Sequence, residues 1–162
     1  MADVDLMETA RTIAERIGSV ALARGFKIAV AESLTSGAVA CQLGAASEAS
    51  SWFAGGVVAY GAEVKFKLLD VDPGPVVTAR CAVEMARGAA RLLGADLAVA
   101  LTGVGGPEPD DEGHPAGTVY AATSSPAGED VDQHRFEGDP SQVVDQATVT
   151  ALQMLLDAAE NQ

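Results

Sequence analysis

Cysteine, histidine, aromatic residues and cations are all scarce in this chain, and each scarcity excludes something. Its 162 residues include two cysteines and two histidines, aromatics make up 4%, and ten Lys plus Arg face 23 Asp plus Glu, a net charge of −13. Cys41 and Cys81 each sit in an Ala-rich apolar context with no second Cys or His at ligand spacing. They read as buried, reduced thiols. His114 and His134 show neither H-x-x-x-H nor H-x-E spacing, so no metal site and no cofactor is expected. A nucleic-acid or anionic-membrane partner would start against a repulsive field, which favours small molecules or a second copy of the chain as partners. The charge-free runs 33–47 and 49–62 are broken by Gly, Ser and Gln, and neither approaches the roughly 20 apolar residues that span a bilayer. The opening MADVDLMETA is acidic and lacks the basic and apolar regions of a signal peptide, so a cytoplasmic location is expected.

What is present is an ordinary core. With 48% hydrophobic and 20% charged residues, and no repeat, linker or low-complexity tract, the chain is expected to form one domain over 1–162. Leu6, Thr9, Ile13, Ile17, Val20 and Leu22 recur near helical spacing over 5–24, with Gly25 as a stop. Lys27 to Ala31 then reads as a short buried strand. Thr35 and Ser36 read as N-cap residues of a small-residue helix running to Leu43. Gly55 to Tyr60 reads as a second strand, followed by a short helix carrying Lys65, Lys67, Leu68 and Leu69. Thr78 to Leu93 is an amphipathic helix, Asp96 to Leu101 a third strand, and Thr102 to Pro115 a Gly- and Pro-rich acidic loop. Gly117 to Thr123 and Val131 to Phe136 bracket a turn and predict an antiparallel hairpin. Ser141 to Ala159 closes the chain as a helix. These elements predict an α/β fold, a three-layer α/β/α sandwich on a mixed sheet.

A serine acts as a nucleophile when a neighbour takes its proton and donors meet the oxyanion, and strand-to-helix turns offer free backbone N–H groups for the second task. Ser33 sits at such a turn. The alternative is that Ser33, Thr35 and Ser36 only cap a helix. No G-x-S-x-G surrounds Ser33, and neither histidine is assignable as its base. A lysine replaces histidine if its pKa falls from about 10.4 towards 7, a bias of about 4 kcal/mol that burial can supply. Lys65 is the candidate, and Lys67 points elsewhere by periodicity; the alternative is a pair of surface lysines. In Gly103-Val104-Gly105-Gly106-Pro107, position 108 is Glu where a dinucleotide fingerprint needs Gly, and no G-K-[ST] follows. The loop is either a simple connection or a backbone cradle for an anion.

Four segments match one family together: Ala31-Glu32-Ser33-Leu34-Thr35-Ser36-Gly37, Phe53 to Tyr60 (FAGGVVAY), Leu101 to Pro107 (LTGVGGP), and Pro115 to Val119 (PAGTV). Lys65 stands five residues after the tyrosine, and Phe136-Glu137-Gly138-Asp139 follows near the end. The chain therefore resembles the CinA C-terminal domain family. That resemblance implies an α/β/α domain and a metal-independent amidohydrolase that converts nicotinamide mononucleotide to nicotinic acid mononucleotide and ammonia. It places the catalytic residues at Ser33, Tyr60 and Lys65, with Lys65 and Tyr60 moving the proton. Glu32, Thr35, Ser36, Gly37, Thr102, Gly103, Gly105 and Gly106 are the expected substrate-binding residues, and the partner is a pyridine nucleotide. Larger members carry an N-terminal molybdopterin-binding-like domain, so the chain corresponds to the C-terminal part alone.

The departures carry information too. The family pattern reads A-E-S-C-T-G-G where this chain has Leu34 and Ser36. It commonly continues G-D-R with a second Arg about four residues on, where this chain has Pro140, Val144 and Asp145. Losing such arginines weakens a phosphate contact by about 1.5 to 3 kcal/mol each. Two alternatives to the amidohydrolase follow: a binding module that keeps the fold without the activity, and a competence- or damage-linked interaction protein. Trp52 and Phe53 either pack in the core or form a self-association patch of a dimer.

Overall fold

The computed structural model describes residues 2–162; Met1 of the acidic opening segment lies outside them. Among these residues run α1 (Ala2–Arg24), β1 (Ile28–Glu32), α2 (Ala38–Gly44), β2 (Phe53–Val58), α3 (Ala62–Leu69), α4 (Ala79–Leu93), β3 (Leu97–Gly103), β4 (Thr118–Ser125), β5 (Gly128–Arg135) and α5 (Pro140–Glu160), with a 3-10 turn at Ala49–Ser51. The strands form one sheet in the order β2-β1-β3-β4-β5. β1 runs parallel to β2 and β3, while β4 is antiparallel to β3 and β5. The sheet is mixed and sandwiched between helices, as the sequence predicts. No helix among the described residues is long and apolar enough to cross a membrane.

The two faces of the sheet are packed differently. On one, Ile28, Val30, Leu97, Val99 and Leu101 meet Ile13 and Ile17 of α1 and Leu152, Leu155 and Leu156 of α5. On the other, Ala29, Ala31, Ala98, Ala100 and Ala122 meet Cys81, Ala82, Ala86 and Ala89 of α4, with Leu69 of α3 beside them. Strand side chains alternate between faces, so β1 and β3 supply bulky residues to the α1 and α5 layer and alanines to the α4 layer.

Several expectations are corrected. Trp52 is 1% exposed and lies beneath α1 at Gly18, where an added Cβ would come within 2.9 Å of the indole. Phe53 is half-buried against the same core, so this pair supplies no association patch. Cys81 is buried, but Cys41 is exposed. α2 buries only Val39 and Leu43, and a residue midway between them in sequence faces away. β5 begins at Gly128 rather than Val131, because an edge strand with charged, exposed positions carries little of the apolar alternation that marks a half-buried strand. α5 begins at Pro140 under a capping box between Asp139 and Gln142, a Pro-at-N1 start that conceals the first turn from hydrophobic periodicity.

The topology concentrates loops at one edge. The carboxyl ends of β1, β2 and β3 lie together, joined by the start of β4 and the end of β5. The chain leaves β1 for β2 on one side and enters β3 on the other, and such a reversal opens a crevice beyond the strand ends. α3 is seated there by α4: at Gly88 an added Cβ would lie 2.1 Å from the Leu69 carbonyl oxygen. Gly88→Ala is expected to push the two helices apart and destabilise the protein by about 1 to 3 kcal/mol. A urea titration with a lower midpoint and an unchanged slope checks this.

Candidate active site

β1 ends at Glu32, and the chain turns through Ser33 to Gly37 into α2. The turn is closed by Ser36 N–H donating to the Ser33 carbonyl at 3.1 Å and Ala38 N–H to the Thr35 carbonyl at 3.0 Å. Ser36 and Gly37 both have positive φ, 52° and 104°. The helix N-cap is therefore Gly37, with no side-chain cap, and Thr35 and Ser36 do not fill that role. Glu32 does so from the strand: its Oε1 accepts from Val39 N–H at 3.0 Å and its Oε2 from Ala40 N–H at 2.9 Å. With 1% exposure and both oxygens engaged, Glu32 anchors the start of α2. A carboxylate at a helix N-terminus is also favoured by the helix dipole.

Ser33, the next residue, is 6% exposed and meets Lys65, which is 1% exposed. Lys65 lies on α3, and its Nζ reaches Ser33 Oγ at 3.0 Å, the Ala59 carbonyl at 2.7 Å and the Tyr60 carbonyl at 3.1 Å. Two carbonyls occupy two of the three Nζ directions, which leaves the third pointing at the serine. Burial removes water from the ammonium and pulls its pKa below the usual lysine value. Below that depressed pKa the folded protein bears the cost of a buried charge; the cost is relieved as pH rises towards the ordinary lysine value of the unfolded chain. Lys67, by contrast, is exposed.

The structure brings Tyr60 to the lysine through its backbone. Its side chain is 68% exposed and makes no hydrogen bond to the Lys65 amine, whose partners are Ser33 Oγ and the Ala59 and Tyr60 carbonyls. Thr35 is 3% exposed, and its hydroxyl has no hydrogen-bond partner. The N–H groups of Thr35 and Gly37 meet no acceptor among the described residues. Thr102 is buried and donates to the Val76 carbonyl at 2.7 Å, so it braces the loop before α4. Beside it the Cys81 thiol is pushed up to about 11, chiefly by burial, and so stays protonated at neutral pH.

The glycine loop divides by role. An added Cβ at Gly103 would lie 2.5 Å from the Thr118 carbonyl oxygen, and one at Gly106 2.8 Å from the Ala116 Cβ. Those two glycines permit close packing of the loop on itself. Gly105 faces open space, which leaves its backbone as the accessible part. Hydrogen bonds from Val104 N–H to the Thr118 carbonyl and from Gly117 N–H to the Val104 carbonyl, both 2.8 Å, pin the two ends together. Among the described residues no group of His, Cys, Asp and Glu is arranged to hold a metal ion. Sequence reasoning missed the Ala59 carbonyl and the capping use of Glu32, since a backbone oxygen carries no sequence signal and a carboxylate beside a serine suggests a ligand contact equally well.

Residues 10–159 match the family model described as the CinA C-terminal domain. The chain is 36% identical over 161 residues to the nicotinamide-nucleotide amidohydrolase PncC of Escherichia coli, covering 96% of this chain and 95% of that one. It is 36% identical over 160 residues to a CinA-like protein of Geobacter sulfurreducens, of which it spans only 39%. A crystal structure of a CinA superfamily protein from Klebsiella pneumoniae superposes with a TM-score of 0.90 at 32% identity, covering 94% of this chain and 99% of that one. One from Agrobacterium tumefaciens gives 0.88 at 30% identity, with 95% and 96% covered.

The Glu32 clamp generates a stability expectation. Glu32→Gln places an amide NH₂ against one of the two α2 N–H groups and orphans that donor. A loss of about 1 to 3 kcal/mol is expected, read from thermal or urea unfolding of the purified variant.

Proposed function

The chain belongs to the CinA C-terminal domain family, and on that premise we propose that it hydrolyses the carboxamide of a nicotinamide nucleotide with Ser33 as nucleophile and Lys65 as base. The observation that carries the reading is the buried contact of Lys65 Nζ with Ser33 Oγ at 3.0 Å. A relative that covers nearly the same length bears the name nicotinamide-nucleotide amidohydrolase, which supports the substrate class.

In the first half-reaction neutral Lys65 takes the Ser33 hydroxyl proton as Oγ bonds to the amide carbon. The Thr35 and Gly37 N–H groups, which meet no acceptor among the described residues, receive the oxyanion in this scheme. Lys65, now an ammonium, returns the proton to the departing nitrogen; the C–N bond breaks and ammonia leaves an ester on Ser33. Water then attacks the ester, its proton passing to Lys65 and on to Ser33 Oγ as the acid is released. The Ala59 and Tyr60 carbonyls keep the amine aimed at Oγ throughout. The Tyr60 phenol takes no proton in this scheme.

A second reading has its own observation. The first turn of α5 holds Pro140, and Val144 and Asp145 follow, so arginines of the family pattern are absent and the chain would be a binding module without turnover. The discriminating assay is release of ammonia and nicotinic acid mononucleotide from nicotinamide mononucleotide, without added metal. The amidohydrolase reading expects release, with Lys65→Met lowering kcat by about 10²- to 10⁴-fold and Ser33→Ala at least as damaging. Binding without release would favour the module.

The pH dependence has a definite sign. Because the base must be neutral, kcat/KM is expected to rise with pH through the Lys65 pKa, with its midpoint below the ordinary lysine value because of burial. A profile flat from pH 6 to 10 in an active enzyme would remove Lys65 from the base role.

A further inference from the structure

Arg135 is the last residue of β5 and is exposed. It pairs across the sheet with Thr118, at the edge where the carboxyl ends of β1 and β3 present Ser33 and the glycine loop. Alternation along β4 and β5 places Arg135 on the sheet face of Tyr120 and Val131, which pack on the α4 side. That is the layer from which Lys65 enters the site. Thr102 pairs with Tyr120, and Tyr120 with Gln133, so one transverse row runs from beside Ser33 to β5, and Arg135 stands two residues beyond it. Three strand spacings of about 4.8 Å and two residues of about 3.3 Å put the Ser33 and Arg135 Cα atoms roughly 16 Å apart. An arginine side chain directed inward shortens that distance towards the span of a mononucleotide.

Electrostatics single out the same residue. Arg16, Arg80, Arg87 and Arg91 are all ion-paired, and Arg24 donates to the carbonyls of Ala159, Glu160 and Gln162. In a chain of net charge −13, Arg135 forms no ion pair or side-chain hydrogen bond among the described residues. The carboxylates of this end of the fold, Glu108, Asp111, Glu112, Glu137 and Asp139, do not take it up, and Asp110 is held by His114 at 2.7 Å. Arg11, the other arginine with no ion pair or side-chain hydrogen bond among the described residues, lies on α1. Arg135 is also the only Lys or Arg after Arg91 in the sequence, so no cation on α5 can take its place.

We propose that Arg135 binds the phosphate of the substrate and thereby sets the preference for a mononucleotide over its nucleoside. The assignment rests on the nucleotide amidohydrolase reading above. A guanidinium offers paired donors to a phosphate, a stronger contact than a neutral hydrogen bond.

The test compares nicotinamide mononucleotide with nicotinamide riboside, the same amide without phosphate. Arg135→Gln is expected to lower the ratio of kcat/KM for mononucleotide over riboside by about 10- to 100-fold, through KM for the mononucleotide. Arg135→Lys keeps the charge without the fork and should fall between. Inorganic phosphate should inhibit the wild-type protein and lose potency in Arg135→Gln, whereas Arg11→Gln should leave the ratio unmoved. An Arg135→Gln ratio equal to that of the wild type overturns the assignment and leaves the amidohydrolase standing. Absence of turnover and of calorimetric binding for both substrates in the wild type overturns the amidohydrolase reading, and this assignment with it.

Discussion

A lysine side chain taken out of water is the constraint on which the site depends. Its amine must have hydrogen-bond partners, and the chain supplies two carbonyls just beyond β2 and one serine hydroxyl just beyond β1. Neither carbonyl can be offered unless β2 ends where it does, and the lysine reaches them only if α3 lies close against α4. The glycine in α4 allows that approach, and the small residues behind α4 allow α4 itself to lie close to the sheet. A polar requirement at one atom is thus met by packing choices spread over two helices and two strands.

Much of this was legible in the chain. The helices of the outer layers carry strong periodicity, the parallel strands are short apolar runs, and the hairpin is bounded by turn residues. Ser33 and Lys65 emerged because a hydroxyl at a strand-to-helix turn and a lysine after an apolar strand suit one chemistry. What stayed hidden belongs to backbone geometry. The positive φ at Ser36 and Gly37 moved the helix cap from hydroxyls to Glu32, and no local pattern announces a cap supplied from the preceding strand. Tyr60 was chosen for its phenol, yet what reaches the lysine is its carbonyl, a group every residue possesses. Cys41 read as buried because its neighbours are apolar, but on a two-turn helix with one inward face composition does not say which way a side chain points.

The acidic character of the chain bears on its relation to its family. Arginine–carboxylate pairs tie α4 to β5 through Arg87 and Glu129 and α1 to α5 through Arg16 and Glu160. Four of the ten Lys and Arg side chains are consumed in this way, and the surplus carboxylates are distributed over the outer surface. An anionic ligand approaching such a surface meets repulsion almost everywhere, so local donors at the sheet edge must do more than they would in a neutral protein. The fold is shared closely with solved relatives.

The unequal filling of the two sheet faces implies two opposite forms of mutational fragility within one domain. On the α1 and α5 side, where isoleucine and leucine fill the space, trimming side chains opens voids and enlargement finds some neighbours able to shift. On the α4 side Ala29, Ala31, Ala98 and Ala100 face Ala82, Ala86 and Ala89, so at that contact little remains to be trimmed and an added methyl group forces helix and sheet apart. Sequence drift in this lineage is therefore expected to exchange one bulky residue for another in the first layer. At the alanine contacts of the second it should be held to alanine, glycine, serine and cysteine, the seam beneath the lysine being the one that cannot swell.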